Sequence, residues 1–204
     1  MNIYRLFARI WKQLYWYFPA EGRKIFLTFD DGPGEGVTEE ILRILNEYNA
    51  KATFFCLGEK VERNPFLYKK ILESGHLTGN HTYGHLNGWK TGTEKYLADT
   101  YKAAKYIHSS LMRPPYGKIS PLQAKLLSKH FKLVMWDVIS YDYKQNYTPE
   151  RIFKRVIKHT RSGSIVVFHD TPQAAPRVIE VLPAVISYFQ KRGYEFSSIP
   201  VDSS

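Results

Sequence analysis

Cysteine is nearly missing from this chain of 204 residues: Cys56 stands alone, so no internal disulfide can form. It sits in an apolar run, where a thiol reads as an inert, buried group. Acidic residues are the scarcer charge, 19 against 29 Lys and Arg, for a net charge of +10 at pH 7. Such a balance suits an anionic partner. No basic run or recognition motif accompanies it, so no nucleic-acid partner is expected. The chain has no linker, low-complexity tract or repeat, and its length suits one domain that behaves as a monomer. Long apolar runs are lacking too. Arg9 and Lys12 interrupt the first eighteen residues, which excludes a signal-peptide core or a membrane span there.

What is present is aromatic and amphipathic. Aromatic residues make up 15% of the chain, and we read most of these rings as core filling, with stacking on sugars as the alternative. Ile3, Leu6, Phe7, Ile10 and Leu14 recur at helical spacing with Arg5, Arg9 and Lys12 between them. This predicts a helix packed across one end of the domain; contact with a membrane surface through residues 1–18 is the alternative. We expect an N-terminal extension over 1–23 and a single domain over 24–204.

Apolar or β-rich runs at 25–30, 52–57, 76–80, 111–114, 131–138, 164–169 and 194–199 alternate with amphipathic segments. Asn64-Pro65, Ser120-Pro121 and Thr148-Pro149 each read as a helix N-cap followed by proline in the first turn. Gly75 and Gly193 fit the left-handed position that ends a helix. The pattern predicts an α/β fold, a distorted (β/α) barrel of roughly seven parallel strands. The polar residues cluster where those strands end, so all of them should meet at the rim formed by the strand C-termini.

Asp30 and Asp31 close the first run, just before Gly32-Pro33. Neighbouring side chains of a strand point to opposite faces, so both carboxylates can serve one site only where the strand breaks. Two like charges so close need different partners. His81 and His85 are four residues apart, which would put them on one face of a helical turn. With one carboxylate, best Asp31, they make a two-histidine, one-acid metal site with positions open to water. His108, His130 and His159 are expected at helix ends, favoured there by the dipole, and His76 as packing.

The stretches Thr28-Phe29-Asp30-Asp31-Gly32-Pro33, His81-Thr82-Tyr83-Gly84-His85, Arg113-Pro114-Pro115-Tyr116-Gly117 and Val167-Phe168-His169 together resemble the polysaccharide deacetylases of carbohydrate esterase family four, the NodB homology domain. The resemblance covers about residues 24–199, in the family's order. It implies one divalent metal on Asp31, His81 and His85, usually zinc, with cobalt, nickel or iron in relatives. Water bound there drops from a pKa of 15.7 to about 7. Asp30 would then be the general base, oriented by the donor fork of Arg113. The backbone N–H of Tyr116 would join the metal in holding the oxyanion. His169 would protonate the departing amine, its imidazolium favoured by Asp142.

The chain departs from the family where Asp-x-x-Asp-Trp is usual: Ile139 replaces the first acid and Tyr143 the tryptophan. The implied reaction is removal of acetate from N-acetylglucosamine units of a glycan, peptidoglycan or a chitin-like oligomer. Alternatives are a metal-dependent amidohydrolase of the same fold acting on a small cyclic amide or ureide, a non-catalytic glycan-binding module, and an oxygen-activating iron enzyme.

Overall fold

The computed structural model describes residues 13–19 and 22–201. Its strands are β1 (Leu14–Tyr15), β2 (Lys24–Asp30), β3 (Ala52–Cys56), β4 (Leu77–Asn80), β5 (Leu111–Met112), β6 (Lys132–Val134), β7 (Val138–Ile139), β8 (Ile165–His169) and β9 (Glu195–Phe196). They are joined in the order β1-β6-β5-β4-β3-β2-β8-β7, every pair parallel, with β9 beside the start of β2. Among the described residues no ladder joins β7 to β6 or β1, so the sheet curls into an incomplete barrel. Helices α1 (Val37–Glu47), α2 (Gly58–Arg63), α3 (Pro65–Glu73), α4 (Thr93–Ala103), α5 (Pro121–Leu127), α6 (Pro149–His159) and α7 (Ala175–Gln190) supply the crossovers. No described helix is long and apolar enough to cross a membrane.

The alternation along β2 sorts the core into two layers. Ile25, Leu27 and Phe29 join the cluster shared with the helices, while Phe26 joins Phe55, Leu111, Val134 and Ile165 in the other cluster. With the side-chain period of two, Thr28 and Asp30 share the face of Phe26. Each fully buried Phe, Ile or Leu stabilises the fold by roughly 1.5–3 kcal/mol. A site on the Phe26 face therefore rests on a wall that is costly to disturb.

The helix signals act through local bonds. Asn64 Oδ1 accepts from Leu67 N at 3.1 Å, Ser120 Oγ from Gln123 N at 3.3 Å, and Thr148 Oγ1 from Arg151 N at 3.2 Å. Gly75 and Gly193 have φ of 75° and 73°, as a helix end requires.

Three expectations are corrected. The run at 131–138 is two strands, because Asp137 leaves the ladder to accept from Ser164 Oγ and Ile165 N, each at 2.9 Å. The helical reading of the first eighteen residues fails at Leu14: Leu14 and Tyr15 pair with Leu133 and Val134, a tertiary contact overriding local periodicity. Its remainder, residues 1–12, lies outside the described residues. His159 does end α6, but burial and the cations Arg155, Lys158 and Arg161 lower its pKa, against the helix dipole. His130 falls in the turn after α5, and His108 lies beyond α4 in irregular chain. His76 is packing: it is buried, and its Nδ1 accepts from Ala52 N at 3.2 Å.

Candidate active site

Asp30 is the last residue of β2, and at Asp31 the chain turns left-handed, φ 73°, ahead of a cis Gly32–Pro33 peptide. The break sends the two carboxylates to different partners. Asp30 Oδ1 accepts from Arg113 Nη1 at 2.6 Å; Asp31 Oδ1 lies 3.0 Å from His85 Nε2 and 3.3 Å from His81 Nε2. The turn is tight: a Cβ on Gly32 would sit 1.9 Å from Asp170 Oδ2.

Arg113 is fully buried, and every arm of its guanidinium is engaged. Nη1 also donates to Thr28 Oγ1 at 2.8 Å, Nη2 to Met135 O at 2.9 Å and Nε to Val134 O at 3.3 Å. The Phe55 ring centroid lies 4.1 Å and the Trp136 centroid 5.7 Å from its Cζ. A buried cation held this way is a fixed partner for one carboxylate oxygen. Thr28 had a signal in the sequence, two residues before Asp30 on the same strand face.

His81 and His85 are brought together as expected, ring centroids 5.2 Å apart, but not by a helix. Residues 81–85 form a loop with left-handed Thr82 (φ 65°) and His85 (φ 57°). Side chains replace the helical backbone bonds: Asn80 Oδ1 accepts from Thr82 N at 2.8 Å, and Asp99 Oδ2 from Tyr83 N at 2.9 Å and Gly84 N at 3.1 Å. These local caps outcompete a helical turn.

Asp31, His81 and His85 offer ligand atoms that all lie within 4.8 Å of one another. Asp31 Oδ1 is buried without a hydrogen bond of good geometry, the condition of an oxygen shaped for an ion. Burial penalises its charge, but the two imidazoles reverse this and hold the carboxyl well below the ordinary range. His81 Nδ1 lies 2.7 Å from Arg113 O, which leaves Nε2 facing Asp31. The set fits one divalent ion.

Opposite, His169 Nδ1 is 2.7 Å from Asp142 Oδ1, and His169 N donates to Asp142 Oδ2 at 2.7 Å. Burial opposes its charge, but Asp142 outweighs this and lifts the pKa to about 9. Ser140, which the sequence reading missed, donates from Oγ to Asp142 Oδ1 at 2.9 Å. The Tyr143 ring meets His169 edge-on at 4.9 Å. Asp30, Asp31, His81, His85, Tyr116 and His169 all line one cavity of about 780 Å³, while Arg113 and Asp142 are buried behind it. Ile139 and Tyr143 also line it, so the divergent motif shapes its wall.

The polysaccharide deacetylase family matches residues 19–131, more than half of the chain. This chain belongs to that family. It is a polysaccharide N-deacetylase, a hydrolase acting on carbon–nitrogen bonds other than peptide bonds. A peptidoglycan-N-acetylglucosamine deacetylase of Bacillus cereus is 33% identical over 192 residues, covering 90% of each chain. The solved structure of the Bc1960 peptidoglycan N-acetylglucosamine deacetylase, in complex with a naphthyl N-hydroxybenzamide, superposes with a TM-score of 0.90 at 30% identity, covering 95% of this deacetylase and 94% of that chain. BA3943, a CE4 family pseudoenzyme from Bacillus anthracis, shares the fold alone, with a TM-score of 0.82 at 24% identity over 91% of this chain and 67% of that one. Function must therefore be argued from the side chains in the cavity.

Proposed function

We propose that this deacetylase hydrolyses the N-acetyl group of N-acetylglucosamine units in peptidoglycan, releasing acetate and leaving a free amine on the sugar. The observation that carries the reading is the unequal fate of two adjacent carboxylates: Arg113 engages Asp30, and Asp31 faces two imidazole nitrogens. The relatives named peptidoglycan-N-acetylglucosamine deacetylases support the choice of sugar.

Asp31, His81 and His85 would hold the divalent ion, and imidazole with carboxylate suits zinc, with cobalt, nickel or iron as substitutes. When bound, such an ion supplies Lewis-acid chemistry, acidifying water and polarising the acetamide carbonyl. Asp30 is the general base. Its Oδ1 is committed to Arg113, so Oδ2 takes the proton as water attacks the acetyl carbon. The backbone N–H of Tyr116 donates to the carbonyl oxygen as negative charge gathers there. His169 holds Nδ1 on Asp142, so Nε2 delivers the proton to the sugar nitrogen as the C–N bond breaks. Acetate leaves with the water oxygen.

The test is direct acetate measurement with the zinc-loaded protein on N-acetylglucosamine oligomers and on peptidoglycan. Acetate should appear, stop after chelation and return with zinc. A metal-loaded protein that yields no acetate from either substrate but opens a small cyclic amide would overturn the reading. Binding of glycan without any turnover would favour the non-catalytic module instead.

A further inference from the structure

Trp89 is 68% exposed, an unusual position for the largest apolar side chain, yet it is not loosely attached. Its indole N–H donates to Ile119 O at 3.1 Å and its backbone N–H to Asn87 Oδ1 at 3.1 Å. The loop that carries it is stapled to α5 and to the segment before it. Gly88 N donates to Lys118 O at 3.1 Å, and Gln123, only 1% exposed, donates from Nε2 to Gly88 O and Thr91 O, each at 3.0 Å. The two segments are so close that a Cβ on Gly88 would lie 2.4 Å from Lys118 O. A ring fixed at one edge and bare on its surface is preorganised to receive a flat apolar face.

The ring is also connected to the reaction site. His85 packs against Tyr116 with centroids 4.5 Å apart, and Tyr116 is 57% exposed. Lys118, two residues on, lines the catalytic cavity and holds its ammonium 5.4 Å from the Trp89 ring centroid. Among the described residues Lys118 has no carboxylate within ion-pair distance. An unpaired cation that lines the cavity thus stands beside an exposed aromatic ring.

We propose that Trp89 and Lys118 form a subsite for the sugar adjoining the one that is deacetylated, the ring stacking on its apolar face and the ammonium pairing with a carboxylate it carries. This rests on the deacetylase reading above and deepens it by saying how the site takes the neighbouring sugar of that glycan, whose lactyl carboxylate is free to meet Lys118 wherever no peptide is attached to it. A neutral oligomer can use only the ring.

The test compares the zinc-loaded wild type with Lys118→Gln and Trp89→Phe or Trp89→Ala. The substrates are a peptide-free peptidoglycan tetrasaccharide, the same compound with its lactyl carboxylates methyl-esterified, and an N-acetylglucosamine tetramer. Wild type should favour the free carboxylate in kcat/KM by about two- to fivefold, a preference that fades with added salt. Lys118→Gln should erase that ratio. Trp89→Ala should raise KM about three- to tenfold on all three substrates, with kcat changing far less, and Trp89→Phe should recover part of the loss. Calorimetric Kd values on the Asp30→Asn protein should follow the same order. If the variants deacetylate all three substrates with wild-type KM, the subsite is wrong and the deacetylase reading stands. If no acetate is released but the Kd order holds, the reverse applies. Neither acetate nor binding overturns both.

Discussion

Arg113 Nη1 sits 2.6 Å from Asp30 Oδ1, in a pair that is almost closed to solvent. Removing one member of a buried pair leaves the other charged and unpartnered, which costs far more than the net worth of the pair. Arg113→Met should therefore destabilise the fold by about 3–5 kcal/mol in urea denaturation. Asp30→Asn keeps the shape, and an amide oxygen can still accept from Arg113. We expect it to retain bound metal while turnover falls by roughly 10²–10⁴. Wild-type turnover in Asp30→Asn would remove the general base from the scheme.

His81→Ala and His85→Ala should each lose the metal, read by elemental analysis of protein purified without added ion. Three ligands is the usual protein share of a catalytic zinc site, so two ligands should hold it poorly. Stoichiometric zinc in both variants would move the ion elsewhere.

The Gly32 turn should tolerate no side chain. With Asp170 carboxylate atoms 1.9–2.3 Å from where a Cβ would stand, Gly32→Ala must push the Asp31 turn or the end of β8 aside. Forced packing of this kind costs about 1–3 kcal/mol. Zinc affinity should drop along with the unfolding midpoint; a shift in stability alone would show that the turn does not set the ligand.

The pH dependence should carry the signature of His169. Its folded pKa is about 9 against an ordinary 6.5, raised by Asp142 despite burial. A raised imidazole favours the folded state fully below the ordinary value, and that contribution disappears as pH climbs from 6.5 to 9. Metal-free protein should lose stability across this interval, and Asp142→Asn should flatten the slope. NMR titration of His169 in the metal-free state should give the midpoint directly. For turnover, the acid form is needed, so the rate should fall on the alkaline side, and earlier in Asp142→Asn.

Features that act over a few residues were legible in the sequence. Asn64, Ser120 and Thr148 cap their helices through bonds three residues long, and Gly75 and Gly193 follow theirs with a left-handed φ. The converging acids and histidines could be read because a parallel sheet sends every strand end to one rim. What stayed hidden depends on partners distant in the chain. Asp137 splits a strand for the sake of Ser164 and Ile165, and the His81–His85 loop is held by Asp99 instead of by its own backbone. The surface position of the Trp89 loop likewise depends on Gln123, more than thirty residues away in the chain.

The short strand β1 reaches further into the chemistry than its two residues suggest. Met135 donates its N–H to Tyr15 O at 2.7 Å and, through its own carbonyl, accepts from Arg113 Nη2 at 2.9 Å. Phe18 N is anchored to Gly163 O at 3.0 Å. One residue, Met135, thus relays the position of Tyr15 to the guanidinium that steers Asp30, through the two peptide groups that flank its Cα. A shortened protein beginning at residue 19, where the family match starts, would keep every reacting group and yet remove the brace behind the base.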